Sequence, residues 1–362
     1  MHNYHDQEFF EKYSVRTDLA LEAHQVVTEH QGPPLPGVKV STVEKDKAVI
    51  SRVIVENEVG ARMIGKAPGR YSTIESPALR EHNREMHEEL ARYLAEELDW
   101  FIQDTQLGPE EPILVVGLGN WNATPDALGP RVVQNLMVTR HLLGMTPPEL
   151  RRGLRPVAAI SPGVLGLTGI ETGEIIMGVT ERIGAKAVIC IDALASRSVE
   201  RLCSTIQISD TGIHPGAGVG NRRQAINQET LGIPVIAIGV PTVVHATTIV
   251  ADAMDLLAGQ RPQSAVEERA PQRTTFHVDP RTLMSTPSQQ GIESTPPGLP
   301  HLSGPEKHQL IREVLAPYMG TMIVTPKEID VLIDEVTDVV AGALNIVFHE
   351  GVDYDEVFQY LT

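Results

Sequence analysis

The stretch "VVGLGNWNATPDALGP", Val115–Pro130, places an apolar run directly before a glycine-rich loop that carries a single acid, Asp126. The run belongs to residues 112–117, which are apolar throughout and are typical of a parallel strand covered on both faces. The glycines permit a tight exit from such a strand, and Pro125 restricts the backbone just before the acid. The stretch therefore predicts a buried strand followed by a loop that presents a carboxylate.

Three more apolar runs, residues 156–160, 187–191 and 234–239, alternate with helical patterns along the chain. Three helices are predicted with recognisable ends: residues 76–98 with Ser76 as N-cap, residues 172–184 with Gly184 as C-cap, and a helix from Thr325 whose capping box is completed by Glu328. The alternation predicts an α/β fold, with a mainly parallel sheet flanked by helices on both faces.

Charge and cysteine content narrow the class of protein. The 362-residue chain has a formal net charge of −17, which argues against nucleic-acid binding because phosphate contacts need clustered Lys and Arg. Two scattered cysteines, Cys190 and Cys203, suit a reducing compartment. The N-terminus carries no secretion signal, and the most apolar region is broken by Pro241 and His245, unlike a membrane span. We expect a soluble, cytoplasmic protein that contacts neither nucleic acid nor membrane.

Residues 260–306 differ in kind from the rest of the chain. They are rich in Pro, Ser, Thr and Gln and show no sustained period. A loop of this length inside a compact domain is either functional or mobile. We interpret it as an irregular insertion in a single α/β domain, since α/β character resumes after it.

The glycine-rich loop has two interpretations. Gly117 and Gly119 fit the first two glycines of a dinucleotide fingerprint, but Asn122 stands where the third glycine belongs. No helix begins directly after the glycines, and a Gly-x-Gly alone is a weak signal. The pattern therefore favours a loop that holds an acid over a phosphate cradle.

A second acid, Asp192, directly follows the apolar run 187–191. Ligands in open α/β sheets gather outside the carboxyl ends of the strands, so Asp126 and Asp192 could converge there on two loops. Two carboxylates a few Å apart repel each other, and this repulsion separates their pKa values. One group can then act as the protonated acid and the other as the ionised base. The alternative is that each Asp only caps a turn.

A third loop, residues 210–223, is rich in glycine and contains His214, Arg222 and Arg223. Such a loop could bind an anion, or it could be a flexible hairpin-like connection. The residues alone leave both interpretations open.

Six motifs, in order along the chain, resemble the germination proteases of endospore-forming bacteria, the spore endopeptidases that degrade small acid-soluble spore proteins. The motifs are "GLGNWNATPDALGP", "SPGVLGLTGIETGEI", "ICIDALASRS", "DTGIHPGAGVGN", "GVPTVV" and "VTPKEID". The resemblance covers most of the chain and fades over residues 260–306, so nothing is carried over there.

The resemblance implies an atypical aspartic endopeptidase whose catalytic pair matches Asp126 and Asp192. It also implies a fold related to the hydrogenase maturation proteases (phosphorylase/hydrolase-like). Those relatives bind nickel near the corresponding loop, but here Ala127 follows the acid, so no metal or other cofactor is expected. Polar residues of the motifs are expected in the site loops or against substrate: Asn120, Thr124, Ser161, Ser196, Arg197 and His214.

The resemblance further implies a homotetrameric zymogen of the forespore or spore core that removes its own N-terminal segment. Family substrates are cut after Glu and before a large apolar residue and Ala. "RTDLALE" mirrors this pattern, so we predict self-cleavage between Asp18 and Leu19. Residues 1–18 would then be a propeptide, and residues 19–362 a single peptidase domain.

Two rival functions remain at the level of the sequence. One is a hydrogenase-maturation-type endopeptidase with a nickel-linked client. The other is a non-catalytic α/β module that binds an anion through Arg222 or Arg223.

Overall fold

The computed structural model describes residues 17–32, 34–143, 145, 147, 153–214, 224–257 and 322–350. The strands are β1 (Val38–Glu44), β2 (Val49–Val55), β3 (Gly69–Glu75), β4 (Ile113–Gly117), β5 (Val157–Ile160), β6 (Ala187–Ser196), β7 (Thr205–Ser209), β8 (Val235–His245) and β9 (Ile323–Val324). The α-helices are α1 (Ala20–Gln31), α2 (Glu58–Ile64), α3 (Arg84–Gln103), α4 (Leu128–Gln134), α5 (Arg140–Leu143), α6 (Leu165–Thr168), α7 (Thr172–Ile183), α8 (Gln228–Leu231), α9 (Ala246–Leu257) and α10 (Ile329–Phe348). Short 3-10 turns cover Pro77–Arg80, Thr124–Asp126 and Val199–Arg201.

One mixed sheet joins all of these strands. Its order is β1-β2-β3-β7-β8-β6-β4-β5, and β9 pairs with β8. The four predicted runs are β4, β5, β6 and β8, and they pair in parallel. The other strands pair antiparallel. This antiparallel half was not predicted from the sequence.

Helices cover both faces of the parallel strands, as predicted. On one face, Ile113 and Val115 of β4 pack in a core with Leu94 of α3 and Val340 of α10. On the other face, Leu114 and Val116 pack in a second core with α7. Successive residues of a strand point to opposite faces, so an apolar run without alternation follows from burial on both sides.

The helix predicted over residues 76–98 is two elements. Ser76 accepts a hydrogen bond from the Ala78 amide at 3.2 Å, but it caps only the 3-10 turn Pro77–Arg80. Asn83 then accepts from the Met86 amide at 3.2 Å and starts α3. The prediction of one continuous helix was wrong because two side-chain caps divide the segment.

The ends of two other helices test the predicted caps. Gly184 closes α7 in the left-handed conformation, at φ 66°, which confirms the predicted C-cap. The capping box at Thr325 was wrong, since α10 begins at Ile329. The Thr325 hydroxyl instead donates to the Thr242 carbonyl at 2.8 Å, a contact between distant segments.

Candidate active site

The loop after β4 is folded around the backbone of Asp126. The Asn120 amide donates to the Asp126 carbonyl at 2.9 Å, and the Asp126 amide donates to the Ala123 carbonyl at 2.7 Å. The amides of Asn122, Ala123 and Ala127 also donate to acceptors inside the loop. A phosphate cradle needs free amides that point at the ligand, and these amides are occupied. The loop therefore holds an acid, in agreement with the favoured interpretation.

Gly119 is the residue that lets this loop close. Its φ of +116° is one that residues with a side chain rarely adopt, and a Cβ here would lie 2.0 Å from the Asp126 carbonyl oxygen. No other residue type fits without moving the acid. Gly119, the second glycine of the dinucleotide-like pattern, is thus needed to position Asp126.

Asp192 lies in β6 itself, not on the loop expected after it. The strand continues to Ser196, and Asp192 pairs in register with Gly239 of β8. The Asp192 side chain is 8% exposed and accepts a hydrogen bond from the Ala193 amide at 2.9 Å. Burial raises the pKa of the neighbouring Cys190 thiol, and the negative charge of Asp192 raises it further. Cys190 is therefore a buried, neutral thiol without the exposure that a nucleophile needs.

Backbone contacts bring the two acids to the same edge of the sheet. The Leu118 amide donates to the Ile191 carbonyl at 2.8 Å, directly before Asp192. A Cβ on Gly129 would lie 2.6 Å from that same carbonyl and 2.3 Å from the Leu118 carbonyl, so α4 begins in close contact with both strands. Leu118, before Asp126, and Gly129, after it, thus both contact Ile191, the residue directly before Asp192.

Thr242 supports the turn that contains Asp126, and the sequence analysis missed it. Its hydroxyl donates to the Pro125 carbonyl at 2.7 Å, and the residue is 1% exposed. In the pairing of β6 with β8, Leu194 opposes Pro241 and Ala195 opposes Val243, so Thr242 is the extra residue of a bulge. Proline inside a strand marks such irregularities, and Pro241 was the available signal.

Two of the other predicted site residues build the Asp126 loop. The Asn120 side chain accepts from the Asn122 amide at 3.0 Å, and Thr124 opens the 3-10 turn. Ser161 follows β5 at the outer edge of the sheet and is half-buried.

The remaining predicted site residues lie farther along the chain. Ser196 is fully buried at the end of β6, where its hydroxyl donates to the Ser198 carbonyl at 2.7 Å. Arg197 donates its amide to Glu22 at 2.9 Å. His214 is exposed on the segment after β7. Because β7 runs antiparallel to β8, this segment lies at the opposite end of the strands from the acids, and no described contact joins His214 to them. Arg222 and Arg223 lie outside the described residues.

The predicted cleavage junction is held in the fold. The Asp18 amide donates to the carbonyl of Ala195 in β6 at 3.1 Å, and the Ala195 amide donates to the Asp18 carboxylate at 2.9 Å. The Gln207 side chain binds the backbone on both sides of the junction. It donates to the Asp18 carbonyl at 3.1 Å and accepts from the Ala20 amide at 2.6 Å. Leu19 is fully buried. Sequence reasoning missed Gln207, which carries no local signal for this contact.

The described residues also bear on metal binding and on membrane insertion. The described segments contain no group of three His, Cys, Asp or Glu side chains arranged to hold a metal ion. None of the helices described is long and apolar enough to cross a membrane.

Comparison with known proteins identifies the family. The sequence model of the germination protease family matches residues 17–361. The chain belongs to the germination protease family. Germination proteases of Bacillus thuringiensis subsp. konkukian and Bacillus cereus strain 03BB102 are each 44% identical to it, over 96% of this chain and 97% of theirs. The family resemblance inferred from six motifs is therefore confirmed, and the protein is a peptidase.

A solved structure was also found, the NiFe hydrogenase maturation protease HycI from Thermococcus kodakarensis KOD1. It covers 39% of this chain and 80% of its own, with 18% sequence identity and a TM-score of 0.26. The predicted relation to that fold stays a prediction.

Proposed function

We propose that this germination protease is an endopeptidase of the spore core that starts the degradation of small acid-soluble spore proteins. Asp126 and Asp192 act as its catalytic pair, without a metal, in an atypical aspartic mechanism. The chain is made as a zymogen that cleaves itself between Asp18 and Leu19, and it assembles as a homotetramer.

The observation that carries the proposal is the hydrogen bond from the Leu118 amide to the Ile191 carbonyl, 2.8 Å long. This bond joins the residue directly after β4 to the residue directly before Asp192. It supports a position for both acids, 66 residues apart in sequence, near the carboxyl end of β4. Thr242 fixes the turn of Asp126 from β8. Rigid support of this kind is what two catalytic carboxylates require.

The chemistry follows from unequal protonation of the pair. One carboxylate is ionised and takes a proton from a water molecule, which then attacks the scissile carbonyl carbon. The other carboxyl group is protonated and donates a hydrogen bond to the carbonyl oxygen as negative charge develops there. Collapse of the tetrahedral intermediate breaks the C–N bond, and the amine leaves with a proton. The two carboxyl groups titrate as a coupled unit.

The proposed cleavage of the propeptide needs a change in this structure. Leu19 is fully buried, and the Asp18 carbonyl accepts from Gln207. The junction also lies beside Ala195, three positions beyond Asp192 on β6 and about 10 Å along the strand. Residues 17–19 must therefore leave β6 before the acids can reach the bond. The Asp18–Ala195 contacts describe the uncleaved chain.

The test is incubation of the protein with a purified small acid-soluble spore protein, with mass spectrometry of the products. Asp126→Asn and Asp192→Asn should each abolish cleavage while circular dichroism shows an unchanged fold. Asp330→Asn, which changes an exposed acid at the start of α10, is the control and should retain full activity. Near-full activity in either site variant removes that residue from the mechanism, and a mature N-terminus other than Leu19 disproves the predicted junction.

A further inference from the structure

A chain of contacts joins the backbone of Leu19 to a buried carboxylate. The Leu19 amide donates to the Thr17 hydroxyl at 3.1 Å. That hydroxyl in turn donates to Oε2 of Glu22. Glu22 is only 3% exposed, although it is a charged residue in the first turn of α1. The Thr17 side chain therefore links the Leu19 nitrogen to the carboxylate.

Glu22 also holds the segment that follows β6. It accepts hydrogen bonds from the amide of Arg197 at 2.9 Å and from the amide of Ser198 at 3.2 Å. The Arg201 guanidinium lies 3.1 Å from its Oε1 and also contacts Glu75. Hydrogen bonds to a buried charged acceptor are stronger than those between neutral groups. This one side chain thus fixes the end of the strand that carries Asp192.

After cleavage, Leu19 returns to the position that it occupies in the uncleaved chain. Its side chain is fully buried, which favours this position over one exposed to water. Its carbonyl accepts from the Ala23 amide at 3.1 Å, and the next amide, of Ala20, donates to Gln207. These contacts do not involve Thr17 or Asp18, so they can form again after both have departed.

Cleavage replaces the Leu19 amide by a charged group at the same position. Hydrolysis of the Asp18–Leu19 bond adds a hydroxyl to the Asp18 carbonyl carbon and a proton to the Leu19 nitrogen. The amine takes up a further proton at neutral pH. The helix dipole disfavours a positive charge at the start of a helix. A buried ammonium therefore needs a carboxylate nearby.

We propose that Glu22 binds the new α-ammonium of Leu19 in the processed protein and so couples propeptide removal to the segment after β6. The inference rests on the proposed cleavage at Asp18–Leu19. The ammonium takes the place of the Thr17 hydroxyl on Oε2, while Oε1 keeps Arg201. Glu22 is a positioning residue and does not contact substrate.

The charges around Glu22 agree with this exchange. The uncleaved chain has Lys66 nearby, whose Nζ donates to the Thr17 carbonyl at 2.9 Å. Burial lowers the pKa of Lys66, and the charges of Asp18 and Glu22 oppose that effect. Cleavage removes both the Thr17 carbonyl and Asp18, which favours the neutral form of Lys66. The ammonium of Leu19 then replaces a cation beside Glu22.

The first test titrates the Leu19 amine in the processed chain 19–362, which retains every described helix and strand. The pH dependence of its acylation is measured by mass spectrometry of the N-terminal peptide. We expect a pKa at least about one unit above the usual 7.7–8.0, a tenfold gain in proton affinity. Glu22→Gln should return the pKa to the usual range. Glu75→Gln is the matched control and should leave it raised, because Glu75 contacts Arg201 but has no described contact with Thr17 or Leu19. An unshifted amine in the parent chain overturns the proposal.

The second test uses the full chain and is independent of cleavage. Glu22→Gln should speed hydrogen exchange of the Arg197 and Ser198 amides by about tenfold or more, whereas Glu75→Gln should not. Unchanged exchange in Glu22→Gln overturns the positioning role. Neither test measures proteolysis. A failure of the proposed Glu22–Leu19 ion pair is therefore distinguishable from a failure of the proposed catalytic pair.

Discussion

At the scale of the residue, the position of Asp126 depends on groups that do no chemistry themselves. Gly119 allows the loop to close on the Asp126 backbone, and Thr242 holds the carbonyl before it. The glycine was visible in the sequence, but its role was not, because the same spacing also occurs in phosphate loops. The backbone hydrogen bonds of the loop decide between the two roles.

Gly119→Ala should disable the site with little effect on the rest of the fold. The new Cβ would lie 2.0 Å from the Asp126 carbonyl oxygen, so the turn must move. We expect about 100-fold slower cleavage and about 1–3 kcal/mol lower unfolding free energy, measured by peptide hydrolysis and urea denaturation.

Gly178→Ala is the control for this substitution. Gly178 lies in α7, and nothing lies within 4 Å of a Cβ placed there. Activity should be unchanged, and the helix should gain about 0.5–1 kcal/mol. Equal activity in both variants would show that Gly119 does not position the acid.

At the scale of the element, the segment before α3 shows how a continuous apolar pattern can cross a break. Leu79, Met86, Leu90 and Leu94 recur at helical spacing, yet the chain turns between the first two of them. The Ser76 hydroxyl donates to the Lys47 carbonyl at 2.5 Å, which anchors the 3-10 turn to the β1–β2 connection. A tertiary contact thus overrides the local pattern.

The break also brings two histidines to one carboxylate. On one helix, His82 and His87 would point in different directions. Because His82 precedes α3, both histidines instead contact the Glu335 carboxylate of α10, and His87 does so at 3.1 Å. These contacts fix the start of α3 against α10.

Asn83→Ala distinguishes one helix from two. In this structure the substitution removes the N-cap of α3, so the unfolding free energy should fall by about 1 kcal/mol. If the helix ran through residue 83, alanine would raise the stability instead. Glu96→Ala, at an exposed position inside α3, should change stability by no more than about 0.5 kcal/mol. Thermal unfolding of the three proteins gives the answer.

At the scale of the whole molecule, α3, α4 and α10 meet at a group of acids. Asp334 contacts Arg131 of α4, and Asp338 accepts from Asn135 at 3.2 Å. Burial and the charges of Glu335 and Asp334 together raise the pKa of Asp338 to about 6. These contacts hold α4 against α10, and α4 directly follows the turn that contains Asp126.

The pKa of Asp338 gives a pH dependence of stability. The folded pKa lies above the unfolded value of 3.8, so the folded state holds the proton more tightly. The stabilisation from this proton is present below about pH 4 and is lost as the pH rises through 6. Asp338→Asn should therefore be more stable than the parent at pH 7, by about 1 kcal/mol after allowance for partial exposure.

Urea denaturation at pH 4 and pH 7 measures this difference. The gain at pH 7 should disappear at pH 4, where the parent side chain is also neutral. Asp330→Asn, exposed on the same helix, should show no gain at either pH. An Asp338→Asn gain of equal size at both pH values would contradict the assigned pKa.

Much of the fold and part of the candidate site could be read from the sequence, and the misses share a cause. The four parallel strands, the C-cap at Gly184 and the family were predicted from local patterns. The antiparallel strands were missed: β1, for example, is largely exposed and lacks a buried stripe. Gln207 and Glu22 were missed because their partners lie at distant positions in the chain, so no local spacing marks them.

The sequence alone determined which segments are buried strands, since residues apolar at every position can only be covered on both faces. It also determined that one acid lies in the loop after β4 and that another directly follows the apolar run 187–191. Only the tertiary structure decided which edges meet, because the Leu118–Ile191 bond, the bulge at Thr242 and the contacts of the Asp18–Leu19 junction join distant segments. Such contacts depend on strand register and packing, which hydrophobic pattern and residue propensity do not encode locally.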